Sequence, residues 1–508
     1  MIRSAPLAAV LCLEAALLFA APDLLPVWTD ELFTLTAVAH PVREIIPLVQ
    51  RDIHPPLYFI LLRGWSILWA SWSGIAKLRV FSGLWALVAT ALLDIFWARR
   101  FKPAERWLAL AFFGLSPCLI LYGRMARSYS MQTALALLAL AMLERWIKEP
   151  SSWLRGAVAA ASLGALLYTH YVPGLALLAG FLAAGSRKVG WRRAAVFASA
   201  IGIGYLPWAA TMFKAVGRWG TSSHFSANYA LSGNALLEQF VKIGFGLVSL
   251  TIGETFLAVS LVLAPVMLLL AFEGARRAEF LGRSPAIIGI AAVIGYIGVA
   301  RWSSYPFIPA RLLWLLPFLS LAVALGVGSL AQSRLRWAAA LGILISFASS
   351  MVMYFRRENF LNPGYAAPLA EIASSLNRSA KPGDLILMDP YNTDYQAIAA
   401  LLAGRTPSIV LEAANLEDAR KRLAAASTVW IVRNTRDISP GHTTTEIERE
   451  ACAGREERDL LLEPYSEWQQ EVMKLAGFRP VLTHFYQLTE CTYTPGRPSS
   501  QTERSGPR

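Results

Sequence analysis

Residues 28–34 read WTDELFT, and a short way downstream residues 52–58 read DIHPPLY. The two motifs together thus hold three acids (Asp30, Glu31 and Asp52) and one histidine (His54) in a largely apolar chain. Charged side chains in hydrocarbon are costly, so residues of this kind lie outside the lipid or line a watered cavity. The side of the membrane that the window holding both motifs faces decides how the rest of the chain is threaded.

That there is a membrane follows from the surrounding sequence. Of 508 residues, 55% are hydrophobic and only 16% are charged, and the mean hydropathy is +0.45. Apolar runs near the bilayer-spanning length of about 20 residues recur from Ala5 to Phe355. The expected fold is a polytopic α-helical membrane protein with about eleven transmembrane helices. They are placed at 6–28, 80–101, 104–122, 128–146, 154–170, 172–185, 194–213, 255–272, 286–301, 312–330 and 337–354. The first run, with Arg3 before it and Ala20 and Ala21 after it, has the outline of a secretory signal. Because further spans follow, it reads as a retained first helix.

The formal net charge of +13 does not point to nucleic acid, because most basic residues flank apolar runs. Arg99, Arg100, Lys102 and Arg106 form one cluster, and Lys148 and Arg155 the next. Arg187, Lys188, Arg192 and Arg193 follow, then Arg276, Arg277 and Arg283, then Arg334 and Arg336. Every second connection is basic, and the positive-inside rule makes these connections cytoplasmic. The others then face outward. They carry the opening window, the GRMARSY and THYVPG turns, a long loop at 214–254, and YPFIPAR. Charge and motifs are independent signals, and they agree. Residues 57–72 would break this alternation if they crossed. They read instead as an interfacial helix anchored by Trp65, Trp69 and Trp72.

Beyond Tyr354 the sequence turns polar. DLILMD and TVWIVRN read as buried strands, and PLAEIASSLN and LEDARKRLAAA have helical periodicity. The expected organisation is a membrane domain at 1–355 with an outer loop at 28–79, an extracytoplasmic α/β domain at 356–493, and a disordered tail at 494–508. The four cysteines show no zinc spacing. Cys12 and Cys118 lie in apolar runs; Cys452 and Cys491 would be able to pair if their domain faces an oxidising compartment.

Each polar candidate has a plain structural reading. Asp30 and Glu31 suit a helix start, where negative charge is favourable; Asp52 suits a turn, and His54 a loop. Gathered in one membrane-side loop, they also suit general-base chemistry, since burial raises a carboxyl pKa toward the working range. Pro55 and Pro56 stiffen the chain and set the direction of Asp52 and His54 before Tyr58 opens the interfacial helix. Arg124 and Arg127, with Tyr129 beside them, either snorkel to the interface or bind an anion. Arg311 poses the same choice. His170 and Tyr171 close the fifth run, and Glu254 either starts a helix or lines the same cavity. Glu14, inside the first run, takes no role.

In this order, the motifs resemble those of the GT-C membrane glycosyltransferases. The nearest type is glycosyltransferase family 39, related to protein O-mannosyltransferases and aminoarabinose lipid A transferases. WTDELFT, DIHPPLYF, ARSYS, YTHY and the late FIPARLLWLLPFL carry the resemblance over residues 1–357. It implies inverting transfer of a sugar from a polyprenyl-phosphate donor to a lipid, glycan or protein acceptor, on the outer face of a bacterial inner membrane. Asp30 matches the catalytic base, and Glu31 would orient it. His54, Arg127 and Arg311 would bind the donor phosphate. Asp52, Tyr58, Arg124, Tyr129, His170, Tyr171 and Glu254 would support the site or bind substrate. The chain departs from the pattern where Arg124 and Met125 precede A-R-x-Y and where Leu312 replaces an aromatic. Apart from membrane lipids, no further partner is implied; a divalent metal is compatible with the motifs but not indicated by them. A flippase of lipid-linked glycans would also use outer arginines, but it should carry polar residues at the midplane and internal repeats.

Overall fold

The structure is a computed structural model describing residues 5–51, 54–72, 74–221, 235–277, 284–302, 308–362, 365, 369–388, 398–399, 402, 408–410, 416–434, 444–453, 456–462 and 486–492. Asp52, the 494–508 tail and most of YPFIP lie outside the described residues. The chain forms two compact units. One comprises Met1–Leu25 and Phe33–Asn362; the other comprises Pro26–Leu32 and Pro363–Arg508.

The first unit is helical. Its N-terminal half holds α1 (Ala5–Phe19), α2 (Thr29–Ala39, whose first turn belongs to the second unit), α3 (Val42–Arg51), α4 (Leu57–Leu68), α5 (Ile75–Phe96), α6 (Pro103–Gly114), α7 (Pro117–Gly123) and α8 (Tyr129–Lys148). Then come α9 (Trp153–Leu167), α10 (Tyr171–Ala184), α11 (Ser186–Val189), α12 (Trp191–Thr221) and α13 (Ala235–Ile252). The unit ends with α14 (Leu263–Arg276), α15 (Ser284–Trp302), α16 (Ile308–Leu312), α17 (Leu316–Ser329) and α18 (Ser333–Arg356).

Among the described residues, Ile75–Arg100, Trp191–Lys214, Ala258–Arg276, Ile308–Ser329 and Ser333–Arg356 are long and apolar enough to cross a membrane. The α6–α7 pair, bent by 43°, makes a sixth span if it is counted as one. The bend falls where Pro117 opens α7, because proline lacks the N–H that would continue the helix. Helices also stand at the other expected positions. α1, α9, α10 and α15 are shorter, and α8 is buried on nearly every face at the centre of the unit. The protein is therefore a multi-pass membrane protein.

Three sequence expectations need correction. The first helix stops at Phe19 rather than near 28, because Ala21 takes a left-handed φ of 45° and Pro22 and Pro26 follow. The interfacial helix ends at Leu68, not at 72. At 12 residues it is too short to span, and Trp69 and Trp72 beyond it are exposed. The loop expected at 214–254 instead holds the end of α12 and all of α13.

Ion pairing accounts for part of the basic patterning. Arg106 grips buried Asp94 bidentately at 2.7 and 2.9 Å, and Arg99 donates to the same carboxylate at 2.9 Å. Elsewhere small residues allow close packing. A Cβ on Gly274 of α14 would sit 1.8 Å from the Ala322 carbonyl oxygen of α17, so only glycine permits this crossing.

The second unit contains a five-stranded sheet in the order β2–β1–β3–β5–β4, with β1 (Leu385–Met388), β2 (Ser408–Val410), β3 (Thr428–Asn434), β4 (Glu456–Leu462) and β5 (Tyr486–Thr492). β1 pairs in parallel with β2 and β3, while β5 runs antiparallel to β3 and β4. Among its described residues are the helices α19 (Leu369–Ser379), α20 (Leu416–Ala425) and α21 (Thr444–Cys452). Alternation along the strands creates two apolar faces. Ile386, Met388, Trp430 and Val432 pack with α19, whereas Leu385, Leu387, Val429 and Ile431 pack with α20 and α21. A disulfide joins Cys452 at the end of α21 to Cys491 of β5, Cα to Cα 5.2 Å.

Candidate functional site

The site is built around Arg127, in the turn between α7 and α8. The backbone of this residue is fixed by the membrane helices. Tyr58 of α4 donates to Ser82 Oγ at 2.8 Å; Ser82 Oγ in turn donates to the Arg127 carbonyl at 3.1 Å. Ser130 Oγ donates to the Ser82 carbonyl at 2.6 Å. This chain joins DIHPPLY, helix α5 and ARSYS through the interior. Tyr58 is buried, so its role in this network is to hold the turn.

The Arg127 side chain, 3% exposed, points back toward the opening window. Its Nη1 donates to Thr34 Oγ1 of α2 at 3.3 Å, and its Nη2 lies 2.5 Å from His54 Nε2. A guanidinium can only donate, so Nε2 accepts and the imidazole proton sits on Nδ1. Burial pushes the His54 pKa well below its ordinary value, and the charges of Arg127, Arg311 and His170 push it further. His54 is therefore neutral at physiological pH, and the fixed positive charge here comes from the two arginines.

Arg311 lies on α16 and is largely buried. Gln132 of α8 locks this short helix by donating to the Ala310 carbonyl at 2.6 Å. His170 precedes α10 and caps it, its Nδ1 accepting from the Val172 N–H at 3.3 Å. The adjacent turn is tied to the His54 motif, because the Leu57 N–H donates to the Tyr168 carbonyl at 3.0 Å. The Tyr171 hydroxyl accepts from Trp208 Nε1 at 3.1 Å. The fold thus gathers His54, Arg127, Arg311 and His170, from motifs far apart in sequence, into one electrostatic neighbourhood.

Other candidates are placed differently. Arg124 donates to the carbonyls of Leu17, Leu18 and Ala21 at 2.6, 3.0 and 2.6 Å, and to the Tyr354 hydroxyl at 2.9 Å. It caps the C-terminal end of α1, where carbonyls lack helical partners and cations are favoured. Tyr129 is buried with its ring edge-on to Tyr122, centroids 5.5 Å apart. Glu254 is buried and accepts from the Tyr122 hydroxyl. The residue before it, Gly253, ends α13 with φ at 93°, and a Cβ there would lie 2.5 Å from Pro117. Only glycine lets the chain pass α7 so closely and present Glu254 to Tyr122. Burial pushes the Glu254 carboxyl up to about 8, so it is mainly protonated at pH 7. Glu254→Gln is therefore expected to change stability by less than about 1 kcal/mol. Glu254→Leu removes an acceptor from Tyr122 and should cost about 1–3 kcal/mol. Thermal unfolding of the purified variants checks both.

Asp30 and Glu31 occupy the first turn of α2, within the second unit. Glu31 is fully buried and Asp30 half-buried. Thr34, Ser82 and Gln132 join the site although no motif singles them out; of these, Thr34 alone carries a signal, standing four residues after Asp30 in a helical frame. Among the described residues, no group of three His, Cys, Asp or Glu side chains is arranged to hold a metal ion.

No protein-family model matches the sequence, and no curated protein matches it. Solved structures do. ArnT from Cupriavidus metallidurans in the apo state superposes with a TM-score of 0.52 at 11% identity, covering 95% of this chain and 97% of that one. The same protein bound to undecaprenyl phosphate gives 0.55 at 12% identity, covering 96% and 98%. The archaeal oligosaccharyltransferase AglB from Archaeoglobus fulgidus, in complex with an inhibitory peptide and a dolichol-phosphate, gives 0.50 at 12% identity, covering 85% and 69%. With helices that thread the membrane several times, and a likeness that covers 95–96% of this chain for ArnT and 85% for AglB, the chain has the GT-C fold.

Proposed function

We propose that the protein transfers a sugar, hexosyl or pentosyl, from a polyprenyl-phosphate donor to an acceptor hydroxyl on a lipid, glycan or protein. One observation carries the proposal: Arg127 and Arg311 are both buried, Arg127 lies 2.5 Å from His54, both arginines act electrostatically on that histidine, and the segment bearing each is hydrogen-bonded to a neighbouring helix. Such cations suit a phosphate whose charge grows as it departs, because preorganised donors act most strongly where charge develops. Two of the similar structures hold a polyprenyl or dolichol phosphate, which supports the same ligand class here.

In the proposed reaction the acceptor oxygen attacks the anomeric carbon from the face opposite the phosphate. The new carbon–oxygen bond forms as the bond to the phosphate oxygen breaks, and the configuration inverts. Asp30 takes the acceptor proton and Glu31 orients it. Arg127 and Arg311 receive the departing polyprenyl phosphate, and neutral His54 keeps Arg127 aimed. Arg124, committed to the end of α1, takes no part in binding. The disulfide of the α/β unit supports an extracytoplasmic setting, since such bonds persist in oxidising compartments.

Ligand binding to the purified protein tests the phosphate assignment. Undecaprenyl phosphate is expected to bind at least about tenfold more tightly than undecaprenol, a difference of about 1.4 kcal/mol. Equal affinity for the two lipids contradicts a site built for phosphate.

A further inference from the structure

The two acids of WTDELFT fold together with the last third of the chain. Pro26–Leu32 and Pro363–Arg508 make one compact unit, and two contacts show how. Leu32 packs against the apolar cluster of α19 and the sheet, which includes Leu369, Ile372 and Trp430. The Trp28 ring meets Tyr365 edge-on, with centroids 5.4 Å apart and planes at 85°. Tyr365 is itself 2% exposed. Aromatic pairs of this geometry contribute beyond simple area burial.

Trp28 and Leu32 bracket Asp30 and Glu31. The Trp28 carbonyl accepts the first helical bonds of α2, from Glu31 N at 2.9 Å and Leu32 N at 3.0 Å. Residues four apart share a helix face, so the α/β unit holds one side of this turn at both ends. Asp30, two residues from each, is roughly 200° round the helix from them. Its carboxylate therefore leaves from the side opposite the held face.

We propose that the α/β unit is a positioning device for the catalytic base: through Trp28 and Leu32, it fixes the rotation of the first turn of α2 and so the aim of Asp30. This inference rests on reading Asp30 as the base. Trp28, Leu32 and Tyr365 are positioning residues, since they act through Asp30. The C-terminal part of the unit then has a part in the chemistry through Asp30, which folds with it. The donor cations lie in the other unit, so loosening this grip should slow the chemical step and spare donor binding.

The test uses full-length protein. Leu32→Ala and Tyr365→Ala are expected to lower kcat about a hundredfold, the scale of a misplacement of about 1 Å. Their affinity for undecaprenyl phosphate should stay within about twofold of wild type, a range of some tenths of a kcal/mol. Tyr365→Phe keeps the ring and should restore most of the rate. A thiol count after brief exposure to dithiothreitol monitors the domain, because Cys12 and Cys118 are free while Cys452 and Cys491 are bonded, and loosening the domain opens that bond to the reductant. If Tyr365→Ala exposes further thiols, Leu32→Ala decides, because Leu32 is only a partly buried neighbour of that cluster. Wild-type kcat in Leu32→Ala beside an inactive Asp30→Asn overturns this inference alone. A fall in donor affinity matching the fall in kcat overturns it too. Full activity in Asp30→Asn removes instead the base assignment on which it rests.

Discussion

Asp30→Asn is expected to lower kcat for sugar transfer by at least about a thousandfold, within the range that a positioned general base contributes, and to leave donor binding nearly unchanged. Asparagine has almost the shape of aspartate but cannot take a proton at neutral pH. The fold should survive the change. Asp30 sits in the first turn of α2, where a negative charge is worth about 0.3–1 kcal/mol against the helix dipole. The cations assigned to the donor are in the other unit and do not depend on Asp30 for their backbone support. A steady-state comparison should thus show a loss in kcat with KM for the donor little altered. A loss confined to KM would mean that Asp30 binds substrate without moving a proton.

Arg127→Ala is the second large effect. Removing one member of a buried, hydrogen-bonded charge pair costs about 2–5 kcal/mol, so kcat/KM should fall by at least about thirtyfold with weakened binding of undecaprenyl phosphate. Here too the fold is expected to remain, because the structural work of Arg127 is done by its carbonyl, which accepts from Ser82. Arg127→Lys should recover little. The guanidinium fork reaches Thr34 with one nitrogen and His54 with another, and a point-like ammonium cannot reproduce that pair of directions. Near-wild-type kinetics and lipid affinity in Arg127→Lys would show that charge alone suffices.

Much of the fold could be read in the sequence because its signals are local. DLILMD and TVWIVRN became β1 and β3, and LEDARKRLAAA became α20, since periodicity and propensity act over a few residues. The acidic pair read as a helix start does stand in the first turn of a helix. What escaped reading depends on distance along the chain. Arg124 reads in the sequence either as a snorkelling side chain or as an anion ligand, and its guanidinium donates to the Leu18 carbonyl, 106 residues earlier. Thr34 meets Arg127 across 93 residues, and Gln132 meets Ala310 across 178. No local pattern encodes such pairs. Helix α13 was hidden for another reason: Glu238 and Lys242 interrupt its apolar run, although Lys242 is buried in the fold. The association of Pro26–Leu32 with the α/β unit is the most remote relation of all. It turns on two apolar side chains, Trp28 and Leu32, that a motif search passes over in favour of the acids between them.

The activity proposed for this chain is cleavage of a sugar from a polyprenyl phosphate and its transfer to a hydroxyl. Its most direct test is to incubate the purified protein with a panel of polyprenyl-phosphate sugars and an envelope-lipid or peptide acceptor, and to follow free polyprenyl phosphate and glycosylated acceptor by mass spectrometry. At least one donor is expected to yield both products in equal amounts with wild-type protein and neither with Asp30→Asn. Release that is the same in wild-type protein and Asp30→Asn, or no release from any donor by protein that binds undecaprenyl phosphate, would contradict it.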